Sequence, residues 1–175
     1  DNIAPKRPEA MTCEIHQATI KGEKWTILVG LLNNRPYEVI GGLSEYVEIP
    51  RKYRTGTIIR RPRKSVLSKY DLVVGEGDDR FTIKDDNPNH AGYTRTISLA
   101  LRHGAPVQYV VEQLQKDKEA NLFSFSKVIA RCLKTYIRDG AVGGDKDCTE
   151  CDVTGSLVYQ EGCVTCASCG FSKCS

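Results

Sequence analysis

The chain lacks any apolar run of about 18 residues, which excludes a helical membrane span. Its first ten residues, DNIAPKRPEA, are polar and contain nothing like the apolar centre of a secretory signal. They also lack an initiator Met, so the chain reads as a processed or excised piece of something larger, and the cytoplasm is the expected compartment. Histidine is scarce: His16, His90 and His103 are far from one another in sequence and from every paired cysteine. No glycine-rich phosphate loop, nucleophile triad or carboxylate pair can be assembled. Nucleotide-loop, triad and paired-carboxylate chemistry are therefore not expected of these residues.

Cysteine is abundant instead. Six of the eight lie in the last 28 residues of this 175-residue chain, as Cys148-x-x-Cys151, Cys163-x-x-Cys166-x-x-Cys169 and Cys174. Without a secretory signal, thiols two residues apart point to metal binding or redox catalysis before structural disulfides. Four thiolates complete a tetrahedral zinc site, so two are left over. One partition gives zinc Cys148, Cys151, Cys166 and Cys169, because Gly170 follows the last of these and can take the positive φ that turns backbone amides toward sulfur. In that partition Asp152 substitutes for the corresponding glycine. The other partition gives zinc Cys148, Cys151, Cys163 and Cys166, leaving Cys169 and Cys174. In both, Cys174 is outside the metal site on a free end, where a thiol can reach other surfaces. The plain alternative is that the surplus thiols are spare ligands. Cys132 falls on an apolar helical stripe and is expected to be a core residue, and Cys13 lies in an early strand.

The net charge of +3 is unevenly spread. Residues 145–175 carry −3, and the remainder +6. Most of the excess sits between Arg51 and Tyr70, in Arg51, Lys52, Arg54, Arg60, Arg61, Arg63, Lys64 and Lys69. Such a run could meet phosphates, but few aromatics interleave it, so a solvated face is the better reading and nucleic acid is not the expected partner.

The first half has a period of two. Trp25, Ile27, Val29 and Leu31 alternate with Thr26, Leu28, Gly30 and Leu32; Asn33 to Pro36 reads as a turn; Tyr37–Ile40 returns, and Gly41-Gly42 ends that strand. Further strands are expected at Gly56–Arg60, Ser65–Val74 and Arg80–Lys84, with a turn across residues 75–79. Near Asn87 the period becomes helical, with Tyr93, Ile97, Ala100 and Leu101 on one stripe. Gly104 caps that helix, Pro106 begins the next through Val107, Val110, Val111 and Leu114, and a third follows from about Ser124 to Tyr136. His103, in the last turn of its helix, suits the dipole. Strands followed by helices argue for an α+β domain over residues 1–140, an antiparallel sheet with about three helices on one face. Gly140 to Gly144 reads as a flexible link. Residues 141–175 then form a cysteine-rich tail too small to fold without a metal, a zinc-ribbon-like pair of turns joined by a hairpin.

The ending Glu161-Gly162-Cys163-Val164-Thr165-Cys166-Ala167-Ser168-Cys169-Gly170-Phe171-Ser172-Lys173-Cys174 closely resembles the extreme C-terminus of adenosylcobalamin-dependent, class II ribonucleotide reductases. The run from Thr94 to Pro106, with Val111 to Leu114, is similar to the accessory domain before that tail; Arg7-Pro8 and the strands around Trp25 suit it too. The resemblance implies a ribonucleoside-diphosphate reductase in which a thiyl radical, generated by cobalamin in a large barrel, reduces ribonucleotides to deoxyribonucleotides. The barrel's disulfide is re-reduced by C-terminal cysteines. This chain has no candidate radical cysteine or cobalamin site, so it is expected to be the reductant-delivery end, a fragment or separate subunit that does not turn over alone. Carried over, Cys174 and either Cys163 or Cys169 form the exchanging pair, and the other four tail thiols hold Zn2+. The implied partners are the catalytic barrel and a thioredoxin-like dithiol reductant. The competing readings are a zinc-ribbon nucleic-acid-binding module, and an architectural module that helps the reductase oligomerise.

Overall fold

The computed structural model describes residues 4–45, 48–62, 70–77, 79–83, 88–116, 123–143 and 147–174. Six strands, β1 (Ala10–Ile20), β2 (Glu23–Leu32), β3 (Arg35–Leu43), β4 (Thr55–Arg60), β5 (Tyr70–Val74) and β6 (Asp79–Ile83), form one sheet in the order β3-β2-β1-β4-β5-β6. Every neighbouring pair is antiparallel. Three helices follow, α1 (Pro88–Arg102), α2 (Val107–Leu114) and α3 (Phe123–Lys134). The expected α+β order is the one observed.

Local chemistry sets the hairpins. Lys21-Gly22 and Asn33-Asn34 hold φ values of 50° and 79°, and of 52° and 61°. Two consecutive left-handed residues make the type I′ turn whose twist matches the strands it joins. The second turn is thus Asn33-Asn34 alone, and Arg35 and Pro36 already belong to β3. Nor does Gly41-Gly42 end that strand, which continues to Leu43. Gly41 is there for closeness: a Cβ would run into the Thr26 carbonyl and the Ile27 Cα of β2. Gly104 does cap α1 as expected, at φ 84°, with Ala105 N–H donating to Ala100 O at 3.0 Å. Of the expected strands, residues 65–69 and Lys84 lie outside the described residues.

The sheet has an apolar set on each face. Trp25, Ile27, Val29 and Val39 face the helices and share a core with Ile97, Leu101, Val111, Phe125, Ile129 and Leu133. Trp25 stacks on Phe125 with ring centroids 5.3 Å apart, and His90 lies 4.3 Å from the same phenyl ring. On the other face Cys13, Ile15, Leu28, Ile58, Leu72 and Val74 cluster with Ile49 and Ile83. The edge strand β3 is covered by α1: the Ser98 hydroxyl accepts from Val39 N–H at 3.0 Å and donates to Val39 O at 3.2 Å. A buried edge needs such partners for its open backbone groups.

The cysteine-rich region forms a second sheet, β7 (Leu157–Gln160), β8 (Cys163–Cys166) and β9 (Ser172–Lys173). A third I′ turn, Glu161-Gly162 at φ 50° and 78°, joins β7 to β8. The stretch that reads as a flexible link in sequence is tied down over residues 140–143. Gly140 N–H donates to Tyr159 O at 2.7 Å, Tyr159 N–H to Ala141 O at 2.8 Å, and Gly143 N–H to Leu157 O at 3.0 Å. Glycines made the segment look mobile, but these backbone bonds and an isolated antiparallel bridge between Val142 and Val158 tie it to β7; Gly144 lies outside the described residues.

Candidate metal centre and redox pair

Two similar turns present four thiols to one point. In the first, Asp152 N–H donates to Cys148 O at 2.9 Å, with Asp152 at φ 54°. In the second, Gly170 N–H donates to Cys166 O at 2.9 Å, with Gly170 at φ 79°. Asp152 therefore takes the left-handed conformation that glycine takes in the second turn, which Asp tolerates better than most residues. The sulfurs of Cys148, Cys151, Cys166 and Cys169 all lie within 4.8 Å of one another. Cys148 Sγ is 3.7 Å from Cys169 Sγ, and Cys151 Sγ is 3.7 Å from Cys166 Sγ. A zinc tetrathiolate with bonds of about 2.3 Å has sulfur–sulfur edges of about 3.8 Å, so the donor set fits that ion.

The electrostatics of the cluster point the same way. The Ser156 hydroxyl, 3.1 Å from Cys166 Sγ, together with the Cys169 and Ser168 amides, brings the Cys166 thiol down to about 6. Cys169 goes the other way. Although the Phe171 amide favours its thiolate, burial and the neighbouring thiols push it up to about 12. Cys151 is raised too: the Val153 amide favours its thiolate, but burial, Cys166 and Cys148 outweigh it. Four thiols this close cannot all ionise unless a cation joins them. The cluster could bind a metal such as zinc, which would hold the two turns together and keep four thiolates charged.

The remaining tail thiols lie apart from the cluster. Cys163 and Cys174 are joined as a disulfide with Cα atoms 4.7 Å apart. Cys163 is half-buried and Cys174 exposed, and Cys174 is held against β8 rather than frayed. Of the two partitions open from spacing, the geometry gathers Cys148, Cys151, Cys166 and Cys169, and leaves Cys163 with Cys174.

The other candidates fall elsewhere. Cys132 is buried in the helix-side core, where burial pushes its thiol up to about 12. Cys13 is fully buried on the opposite face and is likewise pushed up to about 12 by burial, aided by the Glu38 charge. His16 lies away from the cysteine cluster, its Nε2 2.7 Å from the Tyr136 hydroxyl. His103 is exposed after the last residue of α1. Within the basic run, Arg61 pairs with the buried Asp71 at 3.1 Å and Lys52 lies over the Tyr53 ring, so part of that charge is used internally. Arg63, Lys64 and Lys69 lie outside the described residues. Sequence reasoning missed Ser156 and Tyr159. The Ser156 hydroxyl accepts from the Cys166 thiol, and Tyr159 packs into the main core. A Ser upstream of a strand, and a Tyr on a four-residue strand, carry no pattern that distinguishes them.

Fold and cluster together define an α+β domain bearing a zinc-ribbon-like four-cysteine site. Residues 11–138 match the family model described as NrdJ homologue C-terminal domain, and the chain belongs to that family. NrdJ is the class II, adenosylcobalamin-dependent ribonucleotide reductase, so the domain is tied to such a reductase and implies a catalytic part as its partner. The matched span ends before the first tail cysteine. No curated protein and no solved structure matches the chain. Among the described residues no helix is long and apolar enough to cross a membrane.

Proposed function

We propose that the tail relays reducing equivalents to the catalytic part of a class II ribonucleotide reductase by thiol–disulfide exchange, with Cys163 and Cys174 as the exchanging pair. The observation that supports this reading is a Cys163–Cys174 pair, with Cys174 exposed, outside a four-thiol cluster that could hold a metal, in a chain that belongs to a reductase-associated family. Cys148, Cys151, Cys166 and Cys169 hold Zn2+, which supplies structure and not electrons. Adenosylcobalamin belongs to the catalytic part and is not held by this chain.

The difference in exposure supports distinct roles for the two thiols. A thiolate of a thioredoxin-like dithiol attacks the exposed Cys174 sulfur, breaking the tail disulfide and releasing Cys163 as a thiolate that takes up a proton. The reductant's second thiol then attacks its own sulfur in the mixed disulfide, leaving as a disulfide and freeing Cys174. In the delivering direction Cys174 thiolate attacks the catalytic disulfide, and Cys163 resolves the mixed disulfide. Two electrons and two protons pass on, and the tail is oxidised again.

The test is turnover of the complete reductase carrying Cys174→Ser. One turnover, drawing on thiols already reduced in the catalytic part, should survive, and repeated turnover with a dithiol protein reductant should collapse. Undiminished repeated turnover would rule the relay out. Cys163→Ser should instead accumulate a mixed disulfide through Cys174, visible by mass spectrometry.

A further inference from the structure

The β8–β9 hairpin contains both thiol sites. Val164 pairs with Lys173 and Thr165 with Ser172. One step outward along that register sets Cys163 opposite Cys174, which are bonded. One step inward sets Cys166 opposite Phe171, whose carbonyl accepts the Cys166 amide at 2.7 Å. The loop closing the hairpin is therefore the second metal-binding turn itself, with Cys169 at its tip. Strand β9 has two residues, both exposed, and contributes nothing to either apolar core. Across the pair, Thr165 Oγ1 lies 3.2 Å from Ser172 Oγ. So short and exposed a strand stays paired only while its ends are held: the metal turn holds one and the disulfide the other.

We propose that metal occupancy and the redox state of Cys163 and Cys174 are thermodynamically coupled through this hairpin. The inference rests on the relay reading and adds its regulation. With the turn closed around Zn2+, Cys163 and Cys174 are already opposite each other, and disulfide formation costs little further chain entropy. With the turn open, the same bond must close a loop of 11 residues' separation and order β9 as well. Metal binding therefore favours the disulfide over the dithiol. The metal-loaded dithiol is the stronger reductant, which drives two electrons and two protons from Cys163 and Cys174 toward a catalytic disulfide. Linkage requires the converse: the oxidised hairpin binds the metal more tightly than the reduced one, by the same factor.

The full chain, with and without Zn2+, is equilibrated in dithiothreitol buffers of graded oxidation, alkylated, and mapped by peptide mass spectrometry so that only the Cys163–Cys174 bond is counted. The expected result is a midpoint lower with Zn2+ by about 30 mV or more, a tenfold change for a two-electron couple. Zn2+ affinity, from competition with a chromophoric chelator, should be higher by the same factor in the oxidised chain. In the Cys163→Ser/Cys174→Ser double variant it should equal that of the reduced chain. Midpoints equal with and without Zn2+, or a Zn2+ affinity indifferent to the disulfide, would overturn the coupling while leaving the relay standing. If no Cys163–Cys174 bond forms at any buffer ratio, both the coupling and the relay fail.

Discussion

The Tyr159 hydroxyl on β7 donates to Glu112 Oε1 on α2 at 3.2 Å, while its ring, 2% exposed, belongs to the core formed by the sheet and helices. This aromatic side chain, with Val164 packed against the same core, roots the cysteine ribbon in the larger domain. Glu161 N–H reinforces it, donating to Asp139 Oδ1 at 2.8 Å. Tyr159→Ala should cost about 3–5 kcal/mol, as for other buried aromatic truncations. Tyr159→Phe should cost only about 1 kcal/mol, the net value of one hydrogen bond. Chemical denaturation gives the size. Hydrogen exchange should show the alanine variant losing protection in β7 and β8 before it does so in β1 and β2.

A buried ion pair secures the start of the chain to the sheet. Arg7 donates through Nε to Glu38 Oε2 at 2.8 Å and through a terminal nitrogen to Oε1 at 2.7 Å, and Glu38 is 2% exposed. Arg7→Ala strands the carboxylate and should destabilise the fold by about 3–5 kcal/mol, measured by denaturant midpoint. Arg7→Lys should recover only part of that, because an ammonium cannot make the two-pronged contact.

Acid sensitivity should trace to His16. Burial lowers its basicity below the ordinary 6.5, with the Glu14 charge opposing. The folded state therefore keeps this ring neutral over a range where the unfolded chain binds a proton. Unfolded molecules bind more protons there, so stability rises with pH across that window. It is fully present above about 6.5 and is lost as pH falls toward the folded value. His16→Gln, which retains a hydrogen-bonding group but does not titrate, should flatten this slope in urea denaturation between pH 5 and 7 (an interval of about two units around the ordinary His value).

Metal removal should unfold the ribbon and spare the sheet. A chelator added to reduced protein should abolish amide protection in β7–β9 while leaving far-ultraviolet dichroism mostly intact. Ser156→Ala, which removes the hydroxyl beside Cys166 Sγ, should weaken Zn2+ binding about 10–100-fold. Acidification should release the metal as the thiols take up protons.

The parts legible in sequence were those with a period or a fixed spacing. Alternation around Trp25 and Ile27, the stripe Val110-Val111-Leu114, and Gly104 at a helix end each follow from local geometry, and each stands where expected. Paired CxxC turns marked, for the same reason, a four-thiol cluster that could bind a metal. What sequence hid was non-local. Gly41-Gly42 reads as a strand end because glycine is a poor strand former, yet close approach of β2 requires glycine at position 41 inside β3. Residues 140–143 read as a link until their partners on β7, some 15 residues on, are known. The pairing of Cys163 with Cys174 depends on the β8–β9 register, which spacing alone leaves open between Cys163 and Cys169.

The division of the six tail thiols into four metal ligands and one exchanging pair is tested most directly by measuring zinc content together with alkylatable thiols, on reduced wild-type protein and six single Cys→Ser variants. The proposed division predicts one zinc per chain and two freely alkylated thiols, Cys163 and Cys174, in the wild type. It predicts zinc retained in Cys163→Ser and Cys174→Ser, and lost or sharply weakened in Cys148→Ser, Cys151→Ser, Cys166→Ser and Cys169→Ser. Zinc lost with Cys163→Ser but kept with Cys169→Ser would contradict it.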